Sequence, residues 1–436
     1  MKIGIIGLGF VGLCFASVLG SKGYSVIGVD SDKTKISKIS SGQPPFYEPQ
    51  LEKFLKQALK GGLVTSSQIS SVINECSLIF ITVGTPQQKN GHIDLSMVES
   101  SINEIGILLR KTTNKPTIVI KSTVIPGTTK KLLSLLEKKS GRKAGRDFGV
   151  VTNPEFLRES LAIEDTIKPH VIVLGGKNDE FMKRLKKFYQ RFSSQVPITM
   201  TNHQTAEIIK YANNSFLATK ISFINQIANI CEAIPGANVE DVAKTIGLDP
   251  RIGKLFLNAG PGYGGSCLPK DVKAIINFSV NLGINPNLLN AVEEVNKNQL
   301  KNTIATIENA IGKIKGRRIT ILGLAFKPET DDIRDSVSIK LIEILLRKGA
   351  KIIAHDPKAI ENTKLIFGER ISYEKSMRRA LKGTDCAIIL TPWKQYTHLS
   401  EVELKLMKKR VIVDCRRLLS GQKLNADYHA IGIGKS

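Results

Sequence analysis

The chain opens with a repeated alternation of short apolar runs and longer amphipathic segments. Apolar runs predict strands, and apolar positions that recur every three or four residues predict helices. Strands are predicted at 2–6, 25–29, 78–83, 117–121, 148–152 and 171–175. Helices are predicted between them at 11–22, 49–60, 95–111 and 127–139. This alternation predicts a mostly parallel sheet covered by helices on both faces.

The pattern becomes helical near residue 203 and alternates again near residue 317. Helices are predicted at 203–233, 238–246, 271–282 and 288–311. Strands are then predicted at 317–322, 351–355, 386–390 and 411–414, with a helix at 336–348. The fold class is therefore α/β, with two Rossmann-like doubly wound domains joined by a helical middle domain with a long connecting helix. We place the domains at 1–200, 201–312 and 313–436.

A glycine-rich turn follows the first predicted strand. It reads Gly7-Leu8-Gly9-Phe10-Val11-Gly12, opens a helix, and is followed by a second strand that ends at Asp30. This arrangement is typical of dinucleotide binding, with the pyrophosphate at the helix N-terminus. Asp30 could accept hydrogen bonds from ribose hydroxyls and would repel a 2′-phosphate, which favours NAD over NADP. The alternative is a tight strand-to-helix turn that binds no ligand, because such a turn would need the same glycines.

A cysteine follows a second glycine-rich stretch. Residues 260–271 read Gly-Pro-Gly-Tyr-Gly-Gly-Ser-Cys-Leu-Pro-Lys-Asp. Pro269 suits the first turn of a helix, so we expect Cys267 near the positive helix end, where the thiolate is favoured. Asp271 lies four residues further on and can return to the same face. The segment is typical of a sulfur nucleophile, although an inert buried cysteine in a glycine-rich turn is an open alternative.

Further polar residues lie where predicted strands end, which is where ligands bind in doubly wound sheets. These segments are 83–86, 121–124 and 152–155. Glu155 and Glu159 would share one face if their segment is helical. Lys210 and Asn214 would share one face of the long predicted helix and could hold a developing oxyanion. The alternative is a helix face that is exposed to solvent and has no catalytic role, because it would show the same spacings.

Composition favours a soluble enzyme of the cytoplasm. The 436 residues suffice for two or three domains. No apolar run reaches 18 residues, and the first residues lack the charged segment of a signal peptide, so no membrane association is expected. Six cysteines lie scattered at positions 14, 76, 231, 267, 386 and 415. Their spacing fits neither a disulfide framework nor a metal site.

The formal net charge of +24 raises the question of a nucleic-acid partner. Lys and Arg are spread along the chain, and no RNA-recognition, zinc-finger or basic-zipper pattern is present, so no nucleic acid is expected. Residues 313–436 hold 26 Lys and Arg against 14 Asp and Glu. This excess suits an anionic small ligand there, and a generally basic proteome would explain it equally well.

Taken together, the motifs resemble the UDP-glucose/GDP-mannose dehydrogenase family, and within it the UDP-glucose 6-dehydrogenases. The resemblance covers nearly the whole chain. It rests on residues 7–12, 46–49, 83–86, 121–123, 153–159, 210–214, 251–253, 262–271 and 324–336.

The resemblance implies an NAD-dependent, four-electron oxidation of UDP-glucose at C6 to UDP-glucuronate. Cys267 would form a thiohemiacetal with the intermediate aldehyde and then a thioester. Lys210 and Asn214 would steady the oxygen at C6. The residue types agree with this implied chemistry, since a thiolate converts an aldehyde into a species that can lose hydride, and a carboxylate can then activate water.

Hydrolysis would use the remaining catalytic groups that the resemblance implies. Glu155 would serve as base, while Asp271 and Thr123 would hold the water. Cofactor contacts would come from Gly7, Gly9, Phe10, Val11, Gly12, Asp30, Lys35, Thr85, Thr123, Glu159, Lys270 and Arg334. Substrate contacts would come from Glu155, Phe156, Leu157, Arg158, Lys210, Asn214, Arg251, Phe256, Asn258, Gly262, Phe326, Lys327 and Arg416. Arg251 would reach substrate from a neighbouring subunit, which implies a homodimer built on the long middle helices.

Two positions depart from the family pattern. Ser160 stands where the family usually has glycine, and Pro169-His170-Val171 replaces the common Pro-Asp-Arg. Relatives that oxidise UDP-N-acetylhexosamines typically have Gly-Gly-His-Cys, whereas Ser266 precedes the cysteine here. UDP-glucose is therefore the favoured substrate, with a UDP-N-acetylhexosamine or GDP-mannose as the alternative. A non-catalytic nucleotide- or nucleic-acid-binding protein is a more remote alternative.

Overall fold

A computed structural model of the chain describes residues 1–88 and 90–434. Two compact units share these residues, the first being Met1–Asn213 and the second beginning at Asn214. The helix α9, His203–Glu232, starts in the first unit and continues into the second. The three-domain boundaries expected from the sequence stay a prediction.

The first unit is built on an eight-stranded sheet. Its strands are β1 Lys2–Ile6, β2 Ser25–Val29, β3 Leu63–Ser66, β4 Leu78–Ile81, β5 Thr117–Ile120, β6 Gly149–Thr152, β7 Ile172–Gly175 and β8 Ile198–Thr201. They are arranged in the order β3-β2-β1-β4-β5-β6-β7-β8. All neighbours are parallel except β6 and β7, which pair antiparallel through Thr152 and Gly175. The predicted mostly parallel sheet is thus confirmed, with a reversal at β7.

Helices cover both faces of this sheet. They are α1 Phe10–Ser21, α2 Lys33–Ser40, α3 Leu51–Gly61, α4 Ser70–Ile73, α5 Ser96–Leu109, α6 Thr128–Ser140, α7 Ala162–Ile167 and α8 Glu180–Phe192. Alternate residues of a strand face opposite sides. In β4, Leu78 and Phe80 join a core with α1, α3 and α8, whereas Ile79 and Ile81 join a second core with α4, α5 and α6. Burial on both faces explains why the strands are apolar throughout.

The second unit combines helices with a smaller sheet. The helices that follow α9 are α10 Val239–Ile246, α11 Leu268–Asn281, α12 Asn287–Ile311, α13 Val337–Arg347, α14 Ile360–Phe367, α15 Met377–Leu381 and α16 Glu401–Leu404. The strands are β9 Arg318–Leu322, β10 Lys351–His355, β11 Ser372–Tyr373, β12 Cys386–Ile389, β13 Val411–Asp414 and β14 Asp427–Ala430. All strands are parallel, in the order β11-β10-β9-β12-β13-β14.

The two sheets share a strand order and a turn. The first six strands of the first sheet and all six of the second follow the 3-2-1-4-5-6 order of doubly wound folds. After the first strand of each, Gly7 and Gly323 take positive φ angles of 96° and 100°. The expected two Rossmann-like domains are therefore confirmed.

The acid after the second strand bonds to the glycine turn in both sheets, and in the second sheet it also bonds to a further loop. Asp30 accepts a hydrogen bond from the Leu8 N–H at 2.9 Å. Asp356, its counterpart, accepts from the Leu324 N–H at 2.7 Å and from the Trp393 indole N–H at 3.0 Å. Asp356 is only 2% exposed. The second sheet thus uses this carboxylate to hold its own loops.

Candidate active site

The glycine turn after β1 is shaped for close backbone approach. A Cβ on Gly12 would lie 1.9 Å from the Gly7 carbonyl oxygen, so only glycine fits there. Around Gly9, the N-cap of α1, a Cβ would meet no atom within 4 Å. The N-terminus of α1 is therefore open to a ligand and carries the positive end of the helix dipole. Phe10 and Val11 form the first turn of α1, and these features fit a dinucleotide pyrophosphate.

Asp30 and Lys35 lie beside this turn. The Lys35 Nζ is 2.8 Å from the Asp30 carboxylate, which is also bonded to the Leu8 and Asp32 N–H groups. Asp30 is largely buried, with a side-chain exposure of 9%. Both residues were expected in the cofactor site, but their ion pair was not predicted from the sequence. The carboxylate is held rigidly at the end of β2, where a ribose would lie in a dinucleotide site.

Glu155 and Lys210 form a buried ion pair in the first unit. The Lys210 Nζ lies 3.0 Å from Glu155 Oε1, and their side chains are 5% and 9% exposed. Glu155 also accepts a hydrogen bond from the Leu157 N–H at 2.6 Å. Burial opposes the charged form of Glu155, but Lys210, the Leu157 N–H and Lys121 outweigh it and hold its pKa below the ordinary value. Glu155 is thus an anion near neutral pH.

Lys121 is a buried cation at the end of β5, and it is not among the catalytic or binding residues expected from the sequence. Its Nζ donates to the Asn153 side-chain oxygen at 3.3 Å, and Tyr189 donates to the same oxygen at 2.5 Å. Burial lowers the pKa of Lys121 to about 8. The Lys-Ser-Thr segment at the end of β5 could have pointed to this lysine in the sequence. The positive charge of Lys121 stabilises the Glu155 anion.

The segment between Glu155 and Glu159 is not helical, so the condition under which these two carboxylates would share a helix face is not met. Residues 153–158 have no regular structure, and the chain turns at 159–160 before α7 begins. Ser160 has a φ of 67°, and its N–H donates to the Glu48 carboxylate at 2.7 Å. A left-handed backbone at this position explains why glycine is usual there.

The other expected residues of the first unit have varied surroundings. Arg158 pairs with Asp165 at 2.6 Å and is 54% exposed. The Phe156 ring lies 5.5 Å from the Lys210 Nζ and 5.3 Å from the His170 ring. His170, one of the departures from the family pattern, therefore packs against a residue expected to touch substrate. Thr85 and Thr123 are half-buried in the loops that follow β4 and β5.

Cys267 is the N-cap residue of α11, and Pro269 lies in the first turn, as the sequence predicted. The helix begins at Leu268, three residues before the predicted start. Cys267 is half-buried, and the Ser266 hydroxyl lies 3.5 Å from its sulfur. The positive end of an α-helix favours a thiolate over a thiol, so the position of this sulfur is compatible with the nucleophile role expected from the sequence.

Asp271 lies one turn further along α11. Its N–H donates to the Cys267 carbonyl at 2.9 Å, and the residue is 1% exposed. The Asn214 amide donates to its carboxylate at 2.6 Å, and the Lys270 Nζ lies 2.7 Å from it. Asn214 is one turn beyond Lys210 on α9. The helix α9 thus presents an ammonium and an amide in succession, as predicted.

The glycines before Cys267 pack against the loop of residues 326–335. A Cβ on Gly264 would lie 2.3 Å from the Asp335 carbonyl oxygen, and one on Gly265 would lie 2.6 Å from the Phe326 ring. The Gly265 N–H also donates to the Arg334 carbonyl at 3.1 Å. The two glycines therefore allow the segment before Cys267 to lie directly on the loop of residues 326–335.

The remaining expected substrate residues lie in the second unit. Phe256 has a φ of 65°, which is unusual for an aromatic residue and marks local backbone strain. Arg416 donates to the Leu390 carbonyl at 2.7 Å, and burial lowers its pKa to about 10. Gly262 has a φ of 109°, and Asn258 is exposed.

Three basic residues of the expected set have acidic or aromatic neighbours in the second unit. The Lys327 Nζ lies 5.7 Å from the Phe326 ring centre. Arg334 pairs with Asp332 and is 64% exposed, while Arg251 pairs with Asp249 and is 86% exposed. The two arginines therefore extend mainly into solvent, where a ligand or partner could reach them.

Within residues 1–88 and 90–434, no cluster of three His, Cys, Asp or Glu side chains could hold a metal ion. In the same residues, none of the helices is both long enough and apolar enough to span a membrane. All six cysteines lie in this part of the chain and none forms a disulfide, and all except Cys267 are buried.

Three consecutive segments of the chain match one protein family. Residues 1–193 match the NAD-binding domain of the UDP-glucose/GDP-mannose dehydrogenase family, residues 204–298 its central domain, and residues 320–421 its UDP-binding domain. The chain is 41% identical to UDP-glucose 6-dehydrogenase TuaD of Bacillus subtilis, over 99% of this chain and 93% of that protein. The chain belongs to the UDP-glucose/GDP-mannose dehydrogenase family.

Solved structures agree with this assignment. A UDP-glucose dehydrogenase of Pyrobaculum islandicum superposes with a TM-score of 0.93 at 34% identity, covering 99% of this chain and 98% of that one. A UDP-D-ManNAc dehydrogenase of Pyrococcus horikoshii gives a TM-score of 0.88 at 27% identity, with both chains fully covered. As a member of this family the chain is an NAD-dependent oxidoreductase, and its glycine turn lies in the NAD-binding domain.

Proposed function

We propose that this enzyme oxidises UDP-glucose at C6 to UDP-glucuronate in two successive NAD-dependent steps. The observation that carries the proposal is Cys267 at the N-cap of α11, with the buried Asp271 one turn away. A simple alcohol dehydrogenase needs no nucleophile, whereas a four-electron oxidation needs one to hold the aldehyde. The full-length similarity to UDP-glucose 6-dehydrogenases supports the same substrate.

In the first oxidation, the hydroxyl oxygen on C6 gives up its proton and the C6 carbon gives up a hydride, which leaves an aldehyde. Bound NAD supplies the hydride acceptor in both oxidations. Lys210 and Asn214 steady the oxygen at C6, because an ammonium and an amide one turn apart on α9 can both donate hydrogen bonds to it. Gly7, Gly9, Gly12 and Asp30 would hold the dinucleotide, and their geometry fits its pyrophosphate and ribose.

In the second oxidation, the Cys267 thiolate adds to the aldehyde carbon and forms a thiohemiacetal. Loss of hydride from that carbon leaves a thioester. Glu155 then takes a proton from water, which attacks the thioester and releases the carboxylate and the thiolate. Asp271 and Thr123 hold the attacking water. The balance is two NAD reduced and one water consumed per sugar.

Further contacts are assigned to cofactor and substrate on the strength of the family resemblance. Additional cofactor contacts would come from Phe10, Val11, Lys35, Thr85, Glu159, Lys270 and Arg334. Substrate contacts would come from Phe156, Leu157, Arg158, Phe256, Asn258, Gly262, Phe326, Lys327 and Arg416. Arg251 would contact substrate in a neighbouring subunit of a homodimer, and its 86% exposure supports such a reach. Cysteines that form no disulfides suit work in a reducing cytoplasm.

A UDP-N-acetylhexosamine is the second candidate substrate, and the fold similarity to a UDP-D-ManNAc dehydrogenase favours testing it. Ser266 before the nucleophile argues for UDP-glucose. A panel of UDP-glucose, UDP-N-acetylmannosamine and GDP-mannose, read by NADH absorbance, separates these substrates. UDP-glucose should give the highest kcat/KM, and a higher value for another sugar would reassign the substrate.

The role of Cys267 is tested by Cys267→Ser. A serine hydroxyl lacks the nucleophilicity of a thiolate, so turnover to UDP-glucuronate should stop while NAD binding, measured by calorimetry, stays intact. Cys231→Ser serves as a control, because Cys231 is a buried cysteine of the same unit that forms no disulfide. UDP-glucuronate formed by Cys267→Ser at near wild-type rate would show the covalent mechanism to be wrong.

A further inference from the structure

A buried carboxylate on α9 lies outside the set of residues assigned to the reaction. Glu207 is 2% exposed. Its Oε2 accepts a hydrogen bond from the Gly127 N–H at 2.6 Å, and its Oε1 accepts one from the Thr129 N–H at 2.8 Å. Both oxygens of one carboxylate are thus committed to backbone groups about 80 residues away in the chain.

These backbone groups form the N-terminus of α6. The N-cap residue Gly127 has a φ of 92° and no side chain that could cap the helix. The first N–H groups of a helix lack intrahelical partners, and they carry the positive end of the helix dipole. Glu207 therefore supplies the cap that α6 lacks locally. Burial raises the pKa of Glu207, although the bonds from Thr129 and Gly127 oppose that rise.

The capped end of α6 directly follows the loop of residues 121–127, which carries Thr123. This loop leaves the sheet at the end of β5, where the Ser122 hydroxyl donates to the Val83 carbonyl at 2.7 Å. Glu207 holds its other end. Three residues after Glu207, Lys210 holds Glu155 at 3.0 Å. One face of α9 is therefore attached to the Thr123 loop and to Glu155 at once.

We propose that Glu207 is a positioning residue that holds the Thr123 loop in register with Lys210 and Glu155 for attack of water on the thioester. The proposal rests on the proposed function, since Thr123 and Glu155 are assigned there to hydrolysis. Glu207 acts through the backbone of Gly127 and Thr129, by fixing the loop that precedes them. Loss of this fixation should slow hydrolysis more than the first hydride transfer.

The test compares Glu207→Gln with Asp179→Asn. Asp179 caps α8 in the same unit through two bonds of 3.0 Å, from the Phe181 and Met182 N–H groups. Both substitutions place an amide where a carboxylate accepts two N–H groups, so both should lower the unfolding midpoint. Only Glu207→Gln should speed amide hydrogen exchange in peptides that cover residues 121–131.

Kinetics give the second readout. With UDP-glucose, Glu207→Gln should show a rapid burst of NADH followed by a steady rate that is about 10- to 100-fold slower than that of wild type. Acyl-enzyme should accumulate as added mass on the intact protein. Asp179→Asn should keep the wild-type ratio of burst rate to steady rate. The milder Glu207→Asp should change both readouts in the same direction and by less, and it replaces Glu207→Gln if that variant does not fold.

Unchanged exchange at residues 121–131 in Glu207→Gln, or a burst-to-steady ratio equal to that of Asp179→Asn, overturns the proposal. Hydrogen exchange needs no turnover and therefore does not depend on the proposed function. If the wild-type enzyme fails to oxidise UDP-glucose, the proposed function fails. In that case Glu207 has no role in hydrolysis of the thioester. Hydrogen exchange at residues 121–131 then decides by itself whether Glu207 holds the loop.

Discussion

At the scale of single residues, Glu155 shows how opposing forces set the charge of a buried group. Desolvation alone would favour the neutral acid. Lys210 at 3.0 Å, the Leu157 N–H at 2.6 Å and the nearby Lys121 favour the anion more strongly, so the pKa falls below its ordinary value of 4.5. The anion is the form that can accept a proton from water.

This lowered pKa predicts a pH-dependent stability difference for Glu155→Gln. Because the folded-state pKa is below the unfolded-state value, the charge contributes stability above about pH 4.5, and this is lost as pH falls through the lowered pKa. Removing one partner of a buried ion pair costs about 3 kcal/mol at pH 7. Urea unfolding should show this loss at pH 7 and a smaller one near pH 4. A loss that grows on acidification would contradict the lowered pKa.

Ser160 stands where a left-handed backbone favours glycine. A φ of 67° costs a residue with a Cβ about 1–2 kcal/mol. A glycine avoids this cost, but its unfolded chain has more conformational freedom, which offsets part of the gain in stability. Ser160→Gly should therefore raise the free energy of unfolding by about 1 kcal/mol. The matched control is Ser41→Gly, at a φ of −83°, which should instead destabilise. Equal effects of the two substitutions would show that Ser160 is unstrained.

At the scale of elements, α9 combines several tasks along 30 residues. Its early turns carry Glu207, Lys210 and Asn214. Later it exposes Phe216, Phe223 and Ile230, which are 64%, 50% and 50% exposed. These three apolar residues recur every seven positions, or about two helical turns, so they lie along one stripe of the helix. Such a stripe suits the helix-to-helix contact expected of a homodimer.

The stripe predicts the effect of a charge on subunit association. Phe223→Glu would place a carboxylate in an apolar interface, so the variant should sediment as a monomer where wild type sediments as a dimer. Leu365→Glu is the control, since Leu365 is 87% exposed on α14. Analytical ultracentrifugation at matched concentrations measures both. If the Phe223→Glu variant stays dimeric, α9 does not form the dimer interface.

The sequence predicted elements with strong periodicity more fully than short ones. All four helices of the middle region were predicted, and α9 and α12 agree with the structure within one residue at each end. The strands β3, β8, β11 and β14 were missed, because they are two to four residues long and lie partly exposed. The helices that were missed are α2, α4, α7, α8, α14, α15 and α16. The longest of them is α8, whose apolar residues recur at helical spacing and are buried.

At the scale of the whole molecule, the family assignment accounts for both sheets and for the order of the three matched segments. Local motifs suffice to identify the glycine turn and the cysteine, because each motif is contiguous in the chain. The pairings that organise the site could not be predicted in this way. Lys210 with Glu155, and Glu207 with Gly127, join residues 55 and 80 positions apart, and only the folded chain brings such residues into contact.

The proposed function requires that one active site carries out two oxidations on one sugar. The most direct measurement counts NADH by absorbance against UDP-glucose consumed, with products separated by chromatography. The thiohemiacetal at Cys267 holds the aldehyde for a second oxidation, so two NADH should form per UDP-glucose and UDP-glucuronate should be the sole sugar product. One NADH per UDP-glucose, with free aldehyde released, would rule out the four-electron mechanism and leave a simple alcohol dehydrogenase.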